Sequence, residues 1–173
     1  MSNFRERIIR AAKLDVSLYE EVEADKTAMG QAMGVVVLSS LAAGIGSISA
    51  GGRNLILVTI AALVGWYIWA YLTYFIGTKF LPETQTKADH RELLRTIGFS
   101  SSPGLIRILG IIPGFTNLVF AVTGIWMLIA MVIAVRQALD YTSTLRAVGV
   151  CSIGWIIQSI LIGLLLLFAQ GGA

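Results

Sequence analysis

Four stretches of the chain hold no charged residue: Thr27–Gly52, Asn54–Thr78, Ile108–Val135 and Ala147–Ala173, of 26, 25, 28 and 27 residues. A helix needs about 20 apolar residues to cross about 30 Å of hydrocarbon. Each stretch is long enough, and turn residues bound it. They predict helices near residues 28–50, 55–80, 115–139 and 147–169.

A fifth stretch, Leu93–Ile112, is apolar but carries Arg95 and Arg107 and is interrupted by Ser100-Ser101-Ser102-Pro103-Gly104. Charge distribution argues for its crossing. With five spans, Met1–Lys26, Lys79–Arg95 and Arg136–Arg146 share one side and hold eleven of the thirteen basic residues and all ten acids. Lys and Arg collect on the cytoplasmic face of membrane proteins, which puts the N-terminus inside and the C-terminus outside. With four spans, Arg136 and Arg146 would fall outside beside Arg53. A re-entrant third segment is the alternative. The fold class predicted is therefore all-α, a polytopic membrane bundle of about five helices, with spans at 28–50, 55–80, 93–112, 115–139 and 147–169 after an N-terminal segment of residues 1–26.

Local signals refine these elements. Phe4, Ile8, Ala11, Leu18, Tyr19 and Val22 fall on one face at 100° per residue, which predicts a surface-bound amphipathic segment, packed as a collar on the protein's own spans or docked at the lipid interface. Ser17-x-x-Glu20 has the pattern of a capping box and divides the segment into two short helices. Asp89 with Glu92 predicts the start of the third span. Ser102-Pro103-Gly104 breaks or kinks that span: Pro103 lacks an N–H and clashes with the carbonyl of Phe99, while Ser before Pro suits a new helix start. Gly51-Gly52-Arg53-Asn54 and Pro113-Gly114 predict tight outer turns.

Composition agrees with a bilayer as solvent. The chain of 173 residues is 56% hydrophobic and 13% charged, with mean hydropathy +0.79; soluble domains carry about 25% charged residues. The net charge of +3 comes with no basic run and no interleaved aromatics, so no nucleic-acid partner is expected. The charged face nets about +1, which is no polybasic lipid patch. Met1–Lys26 lacks the basic start and short apolar core of a cleaved signal peptide, so the first apolar run is expected to remain as an anchor. Cys151 is the one cysteine and His90 the one histidine, which excludes an intrachain disulfide and a Cys/His zinc site. No metal and no cofactor are expected.

Catalysis is not expected either. The spans hold no Asp, Glu, Lys or His, and His90 falls in a connection expected to be solvated. Arg107 is the most unusual residue by placement, because a charge in hydrocarbon is costly and marks a functional site by default. About five residues from the outer end of its span, it is expected to snorkel or make a structural polar bond; the competing reading joins it with Ser102, Pro103 and Gly104 in a ligand-binding break. Small residues mark helix-packing or partner-contact faces: Gly30-x-x-x-Gly34, Ser40-x-x-x-Gly44 and Ala130-x-x-x-Ala134. Trp66, Tyr67, Trp69, Tyr71 and Tyr74 crowd the second span, where aromatic belts do not account for them, and predict a lipid-facing or partner-facing stripe. Cys151 reads as a buried, unmodified thiol.

Four stretches carry a resemblance to a known family. They are Arg10-Ala11-Ala12-Lys13-Leu14-Asp15; Tyr19-Glu20-Glu21-Val22 leading to Gln31-Ala32; Leu93-Leu94-Arg95-Thr96-Ile97-Gly98-Phe99-Ser100 with Pro103-Gly104-Leu105; and Ala134-Val135-Arg136-Gln137-Ala138-Leu139-Asp140-Tyr141. In this order the chain resembles the Yip family, the Rab-GTPase-interacting membrane proteins, in its short prokaryotic form. The resemblance implies a five-span bundle with a cytoplasmic N-terminus. Family members that bind prenylated Rab proteins carry a long cytosolic region with an Asp-Leu-Tyr-Gly-Pro-like motif. This chain lacks both, so a Rab-type GTPase partner is not carried over. The expected function is that of a non-enzymatic interaction or accessory subunit of a cell (inner) membrane assembly, whose partners are the lipid bilayer and other membrane proteins or a second copy. The alternatives are a small anion channel or transporter at the broken third helix, and a membrane-shaping protein that uses its N-terminal segment as a wedge.

Overall fold

The computed structural model describes residues 3–48 and 55–171, without the side chains of residues 58 and 161–171. The predicted turn Gly51-Gly52-Arg53-Asn54 lies outside the described residues. The chain forms α1 (Phe4–Ala12), α2 (Val16–Ala24), α3 (Met29–Gly46), α4 (Leu55–Phe75, continued by a π turn, Ile76–Phe80), α5 (His90–Ser100), a 3-10 helix (Ser102–Ile111), α6 (Thr116–Ala138) and α7 (Thr144–Gly171). No strand occurs among the described residues. Three helical stretches are by themselves long and apolar enough to cross a bilayer: Lys26–Gly46, Leu55–Phe80 and Thr116–Ala138.

Helix α5 is the axis of the fold. Every residue from Leu93 to Ser100 is buried, Arg95 included. Around it stand α2, α3, α4 and α6. One apolar cluster joins α4, α5, α6 and α7 through Trp69, Leu93, Ile97, Val135, Leu139 and Val150. A second joins α1, α2, α3, α5 and α6 through Ala11, Leu18, Tyr19, Val22, Val35, Phe99 and Ala134. The N-terminal segment is thus a collar packed on the bundle. Its aliphatic face enters the core, while Arg7 binds Glu21 and Asp25 (2.8 Å) and donates to Gln31 (2.9 Å), tying α1 to α2 and α3.

Caps set the helix starts. Asn3 accepts the Glu6 N–H for α1, and the Asp89 N–H donates to the Glu92 carboxylate (2.7 Å) at the start of α5. The start of α2 corrects the sequence reading. Asp15, not Ser17, is the cap: its carboxylate accepts the Ser17 N–H (3.0 Å) and hydroxyl (2.7 Å). Leu14, with φ 62°, turns the chain so that Asp15 meets the helix end first. At Pro113-Gly114, Gly114 takes φ 83°, which glycine adopts without steric cost.

The three charged segments meet at one end of the bundle. Gln137 donates to Glu20, and Gln85 to the Asp140 carbonyl. Glu83 accepts the Thr142 hydroxyl (2.7 Å) and N–H (3.0 Å) and the Ser143 N–H (3.2 Å), which satisfies orphan donors where α7 begins. Those bonds, the Thr142 hydroxyl first, hold the Glu83 carboxyl down at about 2. Tyr141 reaches back to the carbonyls of Gly77 and Leu81 and closes the π turn.

Candidate functional site

The segment predicted as the third span is broken where its sequence demands. Helix α5 ends at Ser100, and Ser102 donates its hydroxyl to the carbonyl of Phe99 (2.7 Å), the group that Pro103 leaves without a helical donor. Beyond the break the backbone winds more tightly, at about three residues per turn. Ser101, Gly104, Arg107 and Gly110 therefore share one face. A glycine on each side lets α3 and the 3-10 helix meet: a Cβ at Gly104 would strike Ser39 Oγ, and one at Gly46 of α3 would strike the Arg107 carbonyl.

That face turns Arg107 inward. Its Nε donates to Thr123 Oγ1 (3.3 Å), and the guanidinium lies 5.4 Å from the centre of the Phe120 ring. Of the two outcomes expected for Arg107, a snorkel or a structural polar bond, these contacts are of the second kind, because the tight winding aims the side chain at α6. Arg107 opens on a cavity of about 330 Å³ among α3, α4, α5, α6 and α7, lined also by Ser39, Ser40, Ser101, Gln158, Trp66, Trp69, Trp155, Met127 and Met131. Ser102, Pro103 and Gly104 do not line it; all three are buried in helix packing. The break thus positions Arg107 without presenting a helix N-terminus.

The aromatic stripe on α4 divides into two faces. Trp66 and Trp69 turn inward: the Trp66 indole N–H donates to the Leu94 carbonyl (3.0 Å), and Trp69 is 5% exposed against Gly154. Both indoles pack inside the bundle, the helix-packing role among those expected for them, because positions i and i+3 share one face. Tyr67 and Tyr71 point outward at 55% and 54% exposure. His90 sits against them, its ring 5.2 Å from Tyr67, 5.6 Å from Tyr71 and 6.2 Å from Tyr74. This corrects the solvated connection expected for His90. The first residue of α5 is drawn onto α4, both ring nitrogens are buried without a hydrogen-bond partner, and desolvation lowers the imidazole pKa.

The small-residue positions mostly serve internal packing. Gly34 abuts Phe4, Ser40 lies 3.3 Å from the Thr59 hydroxyl, and Gly44 admits Leu55. Ala130 and Ala134 are wholly buried, whereas nothing stands over Gly30. Cys151 is buried.

Two positions carry more than the sequence reading assigned them. Arg95 is 4% exposed, donates its Nε to the Val22 carbonyl (2.9 Å) and bonds the Glu23 carbonyl, closing the C-terminal end of α2. Gln158 brings a long polar side chain of α7 to the cavity. The spacing Gly104-x-x-Arg107-x-x-Gly110 was the available signal for the cavity. For Arg95 no local signal exists, since its partners lie more than 70 residues away.

A groove where α2, α5 and α6 meet gathers Glu20, Glu23, Glu92 and Asp140 beside Arg136. Desolvation, then the neighbouring Asp140 and Glu92, push the Glu23 carboxyl up to about 7. Among the described residues no group of three or more His, Cys, Asp or Glu is placed to hold a metal.

The family model of the Yip1 domain matches residues 22–167. Comparison with curated proteins and with solved structures returned no match.

Proposed function

Because the chain belongs to the Yip1-domain family, we propose that it is a five-span, non-enzymatic protein of the cell membrane that acts by contact with other membrane proteins. The convergence of its three charged segments at one end supports five crossings, and their basic excess supports a cytoplasmic N-terminus.

One observation carries the contact role: the outward tyrosines of α4. Tyr67 lies twelve residues from Leu55 and thirteen from Phe80. At 1.5 Å per residue that places it about midway along the helix, and His90, beside Asp89 and Arg91, packs against it and Tyr71, so this face lies at the level of the charged connection. Among the described residues no hydrogen bond within the chain holds the phenol of Tyr67 or Tyr71. An exposed aromatic face whose phenols have no partner within the chain suits contact with another protein, where tyrosine pairs an apolar ring with a hydrogen-bonding tip. A helix of another protein that offers a polar group at this depth would satisfy both phenols and cover His90.

Photo-crosslinking in native membranes tests this. A benzophenone amino acid at Tyr67 or Tyr71 is expected to give protein adducts. The same residue at Leu118 of α6, equally outward-facing, is expected to give lipid adducts. Lipid adducts alone from all three positions would overturn the contact role.

A further inference from the structure

Arg107 has neutral partners on every side. Its Nε bonds the Thr123 hydroxyl and its plane approaches the Phe120 ring. A guanidinium carries five N–H donors. Among the described residues its two terminal nitrogens have no protein acceptor, and the sequence supplies no Asp or Glu to any span. A full charge held in the apolar region is left without a counter-ion by the chain itself.

The surrounding cavity has the chemistry of a receptor for one. Ser101 and Gln158 add polar groups to the wall beside Arg107. No hydrogen bond within the chain engages the Gln158 amide among the described residues. The indole N–H of Trp69, a third polar group among the lining residues, is buried without a partner. The rest of the wall is apolar and aromatic, with Trp66 and Trp155. Trp155 is also 53% exposed on the outer surface of the bundle, so the cavity opens sideways toward lipid. At its outer end the close approach of Gly46 to the Arg107 carbonyl and to Gly110 seals α3 against the 3-10 helix.

We propose that this cavity binds the phosphate oxyanion of an anionic membrane lipid, held by the Arg107 fork and by Gln158, with its apolar part against the tryptophans. Guanidinium binds phosphate in a two-point, charge-assisted manner, and the low dielectric of the site strengthens it. The assignment is independent of the contact role of α4.

Three of the four tryptophans line the cavity, so tryptophan fluorescence reads it directly. Purified full-length protein is placed in phosphatidylcholine vesicles containing dibrominated phosphatidic acid or, in parallel, dibrominated phosphatidylcholine. Half-quenching is expected at about tenfold less brominated phosphatidic acid than brominated phosphatidylcholine, the ratio that one charge-assisted contact supports. R107Q should bring the two curves together, and R107K should keep part of the difference, retaining charge without the fork. Coincident curves in the parent protein would overturn the proposal whatever the variants do. Loss of the difference on adding inorganic phosphate to the buffer would assign the site to the free ion and overturn the lipid assignment.

Discussion

At the scale of single residues, the fold depends on charged groups whose partners are backbone atoms. Arg95 lies in the centre of the bundle yet forms no ion pair among the described residues; it closes α2 through the carbonyls of Val22 and Glu23. Replacing it with Leu leaves those carbonyls unpaired at a buried helix end. Arg95→Leu is expected to cost about 2–4 kcal/mol, read as a lower unfolding temperature in detergent. Glu23 gives a prediction with a pH signature. Its folded pKa, about 7, stands above the ordinary 4.5. Above pH 4.5 the unfolded chain therefore releases a proton that the folded chain keeps, so stability falls as pH rises from 4.5 to 7 and is level beyond. Glu23→Gln removes this loss. The variant should unfold at a higher temperature than the parent at pH 8 and at the same temperature at pH 4.

Legibility at this scale was uneven. The oddity of Arg107 was plain from sequence, since charge is costly in a span. Its direction was not, because that depends on winding at three rather than 3.6 residues per turn. His90 was misplaced for a related reason: nothing in residues 87–92 indicates that the connection folds back onto the tyrosine face of α4. The split of the aromatic stripe into inward indoles and outward phenols follows from helical periodicity and was available in principle.

At the scale of elements, charge-free windows mark three long helices and the start of α7. Asp89 and Pro103 mark the ends of α5. The π turn at the end of α4 was not foreseeable, because its close neighbours, Leu139 beside Gly77 and Tyr141 on the Gly77 and Leu81 carbonyls, lie about sixty residues away in sequence. The 3-10 helix is the element on which the site depends. Ten residues so wound rise about 20 Å, against about 15 Å in an α-helix, so the short segment after Pro103 covers more depth than its length suggests. Its fit to α3 rests on small residues. Gly104→Val would drive a side chain into Ser39 and Met127. It is expected to destabilise the protein by about 1–3 kcal/mol and to abolish preferential quenching by brominated phosphatidic acid through displacement of Arg107. Gly30→Val, at a position with open space, should change the unfolding temperature little.

At the scale of the molecule, the N-terminal collar is part of the core. Leu18, Tyr19 and Val22 are fully buried against the bundle, and Trp126 of α6 donates to the Ala12 carbonyl (2.8 Å). Removing residues 1–26 would uncover Phe99, Ala134 and Arg95 together. The truncated protein is expected to elute as aggregate on size-exclusion chromatography, which makes the deletion unsuitable as a test of membrane shaping. The gathering of all three charged segments at one end was legible from counting charges alone. The collar's depth was not, since an amphipathic face reads alike whether it meets lipid or protein.

Everything at this scale depends on α5 and the 3-10 helix together crossing the bilayer. Single cysteines at Thr84 and Phe115, on a Cys151→Ala background, flank that crossing. Labelling with a membrane-impermeant maleimide on sealed right-side-out and inside-out vesicles measures it directly. The five-span arrangement predicts Phe115→Cys labelled only in right-side-out vesicles and Thr84→Cys only in inside-out ones; both labelled from the same side would contradict it.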